Sequence, residues 1–315
     1  MAYPILRSEI QLALGADYTI DRQLPRPPGI IAYSARGVHD GSRVGISAIP
    51  TSVLSMSPAR GDASSPIVPL QHANILPISR SGTLGDIFYW IAAEADAQTL
   101  RARLIARDSR VSLKDSLILL RDVSAALTHA HSHGVVHGGL TPDSVLISGG
   151  SALVANIGIA RVFASLDNAH NDAMPGPGIG ESFRYTSPEQ ATGAPADARS
   201  DVYAWGVIAY ELLSGRHPFS GRATPREMLA AHTGEVPPQL LGGRFNVPSG
   251  VARLVMRCLS KEPGKRPQAA GEILNVLTKE LLTPPPAAAA GSGQKLAIAL
   301  VVALGAAVAL LAMLG

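Results

Sequence analysis

A single cysteine, Cys258, is present among 315 residues. That excludes an internal disulfide framework and any multi-cysteine zinc module, and it suits a reducing compartment. Charge is scarce as well: 16% of residues are Asp, Glu, Lys or Arg, against 46% hydrophobic. A chain disordered along its whole length needs the opposite balance, so wholesale disorder is excluded. Lys and Arg outnumber Asp and Glu by 27 to 24, and the resulting +3 is spread thinly. With no Lys/Arg block to follow a phosphate backbone, nucleic acid is excluded as a partner. The opening residues MAYPILRSEI lack the apolar core of a signal peptide.

One long apolar run is there, at the far end. Leu296 to Gly315 are twenty residues without a charge or a hydrogen-bonding side chain, and eleven of them are Leu, Ile, Val or Met. As a helix they reach about 30 Å, the thickness of a bilayer's hydrocarbon core, and a buried core helix of that length would keep a polar face. A transmembrane helix is therefore predicted over 295–315, with the lipid bilayer as its partner. The preceding stretch, Pro-rich and then Ala/Gly/Ser-rich, reads as a linker over 283–294. Lys279 and Lys295 lie on the body side of the span, which places the body in the cytoplasm. Ala299, Ala303 and Ala307 recur every four residues, a spacing that permits a homodimer through the span; an Ala-rich composition gives the same spacing by itself.

Ahead of the linker the pattern changes once. After an N-terminal segment of residues 1–16, residues 17–95 hold short β-branched runs (YTIDRQL, IIAYSARG, RVGISAI) broken by Pro and Gly, as in an antiparallel sheet. Within 96–282, residues 112–280 read as helices. Ser112 and Asp115 form a capping box, and Leu113, Leu117, Leu120 and Leu127 follow on one face. A second helix starts near Ser200-Asp201, carries Val202, Trp205, Ile208 and Leu212, and stops at Gly215. The fold class is α+β, a small β-rich N-lobe (17–95) followed by a larger helical C-lobe (96–282).

Five ordered segments carry a family resemblance: HSHGVVHGGLTPDSVLI, ANIGIAR, SPEQATG, DARSDVYAWGVIAYELLSGRHPF and CLSKEPGKRP. Together they resemble the eukaryotic-like serine/threonine protein kinases of bacteria, over nearly the whole body. The resemblance implies a bilobal protein kinase-like fold, with a Pro-rich juxtamembrane segment and one membrane helix behind it. It implies structural roles for His137, Gly158, Glu189, Asp201 and Arg266. Glu189 and Arg266 match a buried ion pair, and Asp201 matches an acceptor of backbone N–H groups from the catalytic loop. Trp205, Gly206, Pro218 and Phe219 match core positions.

The departures from the family sit at the chemistry. Phosphoryl transfer in the resembled kinases uses a glycine loop, a strand lysine, a catalytic aspartate and metal ligands. Here the loop reads Pro25-Arg26-Pro27-Pro28-Gly29; Pro25, Pro27 and Pro28 bring no N–H donor to a phosphate. Ser47 replaces the lysine. The window that should hold the lysine's glutamate partner contains Pro58, Gly61, Pro66 and Pro69, with Asp62 its only acid. In the catalytic loop Gly139 replaces the aspartate, Gly138 an arginine and Ser144 a magnesium-binding asparagine, while Asp143 lies four residues beyond the lost base. Asn156 replaces the charged metal ligand of the Asp-Phe-Gly motif, and neutral asparagine suits a hard divalent ion poorly.

The expectation drawn from these residues is a membrane-anchored pseudokinase: a signalling scaffold for protein partners, not an enzyme, with no catalytic residue and no bound ATP or magnesium. The alternative is a serine/threonine kinase of non-standard ATP-dependent chemistry, in which Asp143, Asp62 or Asn156 takes over a role, or a nucleotide-sensing binder. Three further features read as minor. His129 and His133 share a helix face at a metal-pair spacing that nothing else supports. Ser182 stands where the family carries a phosphorylated threonine, and Cys258 reads as core.

Overall fold

Period-two alternation of apolar residues dictates the first layer. The strands β1 (Tyr18–Leu24), β2 (Ile31–Gly37), β3 (Arg43–Pro50), β4 (Ile78–Leu84) and β5 (Ile87–Ala93) form one antiparallel sheet in the order β1-β2-β3-β5-β4. Successive side chains leave opposite faces, so one sheet makes two different surfaces. Ile20, Tyr33, Val44, Ile46, Tyr89 and Ile91 bury on one of them against Ile10 and Leu14 of α1 (Tyr3–Leu14). The Gln11 side chain fastens this helix further: its Oε1 accepts from Ile20 N at 3.0 Å and its Nε2 donates to Tyr18 O at 3.2 Å. Residues 1–16, expected only as a leading segment, are thus partly a helix held by docking rather than by propensity.

The other face carries Ile49, Phe88 and Trp90, which pack with Ile159 from beyond the sheet. Gly45 and Ser47 of β3, and Ser34 and Arg36 of β2, share this face by alternation and by the pairings Ser34↔Gly45 and Ser47↔Trp90. It faces the second lobe and is the surface that matters for function.

That lobe begins with β6 (Gln98–Thr99) and α2 (Leu100–Ala106), then α3 (Leu113–Ser132), α4 (Pro188–Ala191), α5 (Ala198–Ser214), α6 (Pro225–Gly234), α7 (Ser249–Cys258) and α8 (Ala270–Leu282). The Ser112–Asp115 capping box is present at the start of α3, and Gly215 ends α5 at φ 80°. Trp205 of α5 is fully buried and its Nε1 donates to Leu120 O of α3 at 3.1 Å. Gly206 lets α5 and α7 touch, because a Cβ there would meet Cys258 Cβ at 2.7 Å. The all-helical reading from residue 112 onward needs one correction. A hairpin, β7 (Val145–Ser148) and β8 (Ser151–Val154), interrupts it and pairs with β6. Gly149 and Gly150, at φ 57° and 86°, make the tight turn that only such residues make freely.

The computed structural model describes residues 3–24, 31–50, 67–85, 87–94, 97–106, 112–159, 182–240 and 245–283. The Pro25, Pro27 and Pro28 loop, the stretch with Asp62, and the span predicted over 295–315 lie outside the described residues. Among the described residues, no helix is long and apolar enough to cross a membrane.

Candidate active site

The site is built around the loop His137–Ser144, and a carboxylate from the first turn of α5 fixes that loop. Asp201, 1% exposed, accepts from His137 N at 2.8 Å and from Gly138 N at 2.7 Å, while His131 Nε2 lies 2.7 Å from the same group. Gln190 Nε2 holds Gly138 O from the other side at 2.7 Å. Gly138 takes φ 69°, a left-handed conformation that strains a residue with a Cβ, so glycine at this position has a backbone reason. Gly139 N points to His137 Nδ1 at 3.4 Å. Burial holds the His137 imidazole below its ordinary pKa, and so neutral. Ser144 Oγ donates to Thr141 O at 2.8 Å and accepts from Thr141 N at 3.1 Å, closing the loop on itself.

One carboxylate of this loop reaches solvent. Asp143, its side chain 45% exposed, is oriented by Arg101 of α2, whose Nε lies 3.3 Å from Asp143 Oδ2. Arg101 Nη1 also donates to the Tyr185 hydroxyl at 3.0 Å, and that hydroxyl donates to Glu211 of α5. Burial first, and then the Glu211 carboxylate, push the Tyr185 phenol well above its ordinary range, so it stays a donor. Two acids, a phenol and a guanidinium thereby join α2, the loop, α5 and the turn at Ser182–Tyr185.

Across the cleft, Ser47 is buried on β3 beside its cross-strand partner Trp90. Trp90 Nε1 donates to Asn156 Oδ1 at 3.3 Å, so the indole bridges the position of Ser47 and that of Asn156. Asn156 sits at φ 64°, a conformation that asparagine tolerates better than most residues. Gly158 follows at φ 84°, closely packed by Val135 and Ile67. Among the described residues, those at the positions that hold magnesium in the resembled kinases are Asn156 and Ser144. Both are neutral, and both oxygens are engaged in hydrogen bonds, so this donor set does not fit a hard divalent cation.

The remaining matched residues build the frame. Arg266, 1% exposed, grips Glu189 with Nη1–Oε1 at 2.7 Å and Nη2–Oε2 at 2.8 Å. Burial raises the Glu189 pKa, but hydrogen bonds from Arg266 and Ser200 outweigh it and leave the carboxyl at about 2. Nearby, His217 and His232 each place Nε2 at 2.8 Å from Arg184 O, clasping the turn that leads into the Glu189 helix. Burial lowers their pKa values to about 4 and about 3. His129 and His133 stack at 4.4 Å, with His72 5.1 Å from His129. Cys258 is buried, and burial pushes its thiol up.

The structure thus brings Ser47 and Asn156 together through Trp90, and gathers His137, Gly139 and Ser144 in one loop that Asp201 holds from α5. Glu189 and Arg266 meet one helix away. Trp90, Arg101, Tyr185, Glu211 and the His217–His232 clasp were not read from the sequence. Trp90 is one of two tryptophans, and its place opposite Ser47 was the available signal.

The family model described as "Protein tyrosine and serine/threonine kinase" matches residues 63–277. The serine/threonine-protein kinase PrkC of Bacillus subtilis is 31% identical over 207 residues, covering 65% of this chain and 31% of that protein. The serine/threonine-protein kinase pkn2 of Myxococcus xanthus is 39% identical over 168 residues, covering 51% of this chain and 20% of that protein. In fold, the chain is similar to the crystallised PknI kinase domain of Mycobacterium tuberculosis, with a TM-score of 0.60 at 19% identity, over 84% of this chain and 96% of that one. The chain matches about a third or less of the curated relatives' length. These matches overturn the expectation that the chain is not an enzyme, since the relatives are named as kinases. The physical reason is that Ser47, Gly139, Ser144 and Asn156 remove one arrangement of charges, whereas the loop frame and an exposed carboxylate are in place.

Proposed function

Because the chain belongs to the protein tyrosine and serine/threonine kinase family, we propose that it is a serine/threonine protein kinase that uses ATP through a non-standard site. The observation that carries this reading is Asp143, an exposed carboxylate on a loop pinned by Asp201 and aimed by Arg101. In the proposed step the substrate hydroxyl oxygen bonds to the γ-phosphorus of ATP and the bond to the bridging oxygen breaks. ADP leaves with that electron pair, and the hydroxyl proton passes to Asp143. Arg101 holds the carboxylate in place and so acts as a positioning residue.

The uncharged run Leu296–Gly315 supports a second part of the reading, that this kinase is tethered to a membrane with its body in the cytoplasm. The test uses the full chain with γ-labelled ATP and a serine/threonine protein substrate, with and without magnesium. Asp143→Asn is expected to lower transfer about 100-fold or more while ATP binding is unchanged. An unchanged rate in that variant removes Asp143 from the role. The engaged oxygens of Asn156 and Ser144 favour a second reading, a nucleotide sensor; its outcome is magnesium-independent ATP binding without transfer by the parent chain.

A further inference from the structure

The face of the sheet that carries Ser47 also carries an unusual concentration of arginine at its far end. Asp21, Arg22, Ser34, Arg36, Arg43 and Glu94 line a recess of about 320 Å³. Arg43 lies four residues from Ser47 on the same strand and the same face, about 13 Å away at strand rise. Two features of the fold gather the charges. Arg36 and Arg43 are direct cross-strand partners, a like-charge pairing that disfavours the sheet. Between Ile20 and Arg22 the β1–β2 register shifts, and this bulge turns both Asp21 and Arg22 toward the recess, where a regular strand would send neighbours to opposite faces.

The acids present do not neutralise the arginines. Asp21 is taken by Arg36, whose Nε lies 2.9 Å from its Oδ2. Glu94 accepts a hydrogen bond from the buried Ser34 hydroxyl at 2.6 Å and meets Arg22 only at 4.0 Å. Among the described residues, no carboxylate lies in ion-pair reach of Arg43. Three guanidinium groups thus face two engaged carboxylates, and two of the three, Arg22 and Arg43, have donors to offer. Guanidinium forks match phosphate oxygens in pairs, and an anion between Arg36 and Arg43 relieves their repulsion.

We propose that this recess binds a polyphosphate group and, resting on the reading of the chain as an ATP-using kinase, that the group is the triphosphate of the nucleotide. Positive charge missing at Ser47 is supplied at the opposite end of the same sheet face. A nucleotide held this way lies with its phosphates toward Arg22 and Arg43.

The test is calorimetric titration of the full 315-residue chain with sodium tripolyphosphate, ATP and adenosine, at low and at physiological ionic strength. Tripolyphosphate and ATP are expected to bind more tightly than adenosine, and more weakly as salt is raised. The double variant Arg22→Gln/Arg43→Gln is expected to lose about tenfold or more for both, with its melting temperature without ligand unchanged. Arg80→Gln, which removes an exposed arginine paired with Asp17, is the charge control and is expected to change neither affinity. Tripolyphosphate that fails to bind the parent, or binds the double variant equally well, overturns the recess. ATP binding untouched by the double variant also overturns it and leaves the kinase reading standing. Loss of tripolyphosphate binding in the double variant, in a chain that transfers no phosphate from ATP, supports the recess and removes the kinase reading.

Discussion

Arg266 and Glu189 are the residues on which the helical lobe most depends, and the reason lies in what each would leave behind. Both guanidinium nitrogens that face Glu189 lie out of water, and the same group also holds Ser260 O and Arg199 O at 2.8 and 2.9 Å. Arg266→Ala is expected to destabilise the chain by about 3–5 kcal/mol, since it strands a half-buried carboxylate and three carbonyls, the third being Lys261 O. Urea unfolding checks it, and a loss under about 1 kcal/mol would contradict it. The histidines beside Arg184 give a pH dependence of definite sign. His217 Nδ1 accepts from Phe219 N and His232 Nδ1 lies 2.9 Å from the Tyr203 hydroxyl, so both rings are built in neutral. The unfolded chain takes up protons near pH 6.5, whereas the folded rings resist until about 4 and about 3. Stability is therefore full above about pH 6.5 and falls as the pH drops toward those values. His217→Gln is expected to flatten the limb between about pH 6.5 and 5.5, above most of the range where carboxylates titrate.

At the scale of elements, α1 makes the sharpest prediction. Ile10 and Leu14 are both essentially buried against the sheet, so Ile10→Ala is expected to destabilise by about 2–5 kcal/mol, read by thermal or urea unfolding. A surface-like loss of a few tenths would mean that the helix does not dock. The same element shows where reading a sequence stops. The capping box at Ser112, the stop at Gly215 and the strands Tyr18–Leu24, Ile31–Gly37 and Arg43–Pro50 were legible because their signals are local. α1 carries no such signal, and its stability comes from contacts with residues far along the chain. The hairpin Val145–Val154 was hidden for a related reason: its strands have four residues each, too few for periodicity to stand out beside a helix. At the site, Ser47, Gly139 and Asn156 were legible by motif, but the Trp90–Asn156 bridge and the Arg101–Asp143 contact depend on a fold that brings residues 66 and 42 positions apart together.

For the whole molecule, two lobes meet at a cleft whose centre is as short of charge as Ser47, Gly139 and Asn156 in its motifs imply. Ile159 packs on the sheet face beside Phe88 and Trp90, and the indole hydrogen bond to Asn156 ties the same junction. Neutral groups occupy the centre of that cleft, with carboxylate Asp143 on one side and the arginine recess at the end of the sheet face. On the proposed reading, ATP-dependent transfer would use Asp143 as its base and the arginine recess as its cationic site, both supplied by this chain's own residues. The most direct measurement is phosphoamino-acid analysis of the full chain and of Asp143→Asn after incubation with ATP and a serine/threonine protein substrate. Phosphoserine or phosphothreonine is expected with the parent chain, and its near-complete loss in the variant. A folded parent chain that binds ATP and leaves every serine and threonine unmodified would contradict the kinase reading.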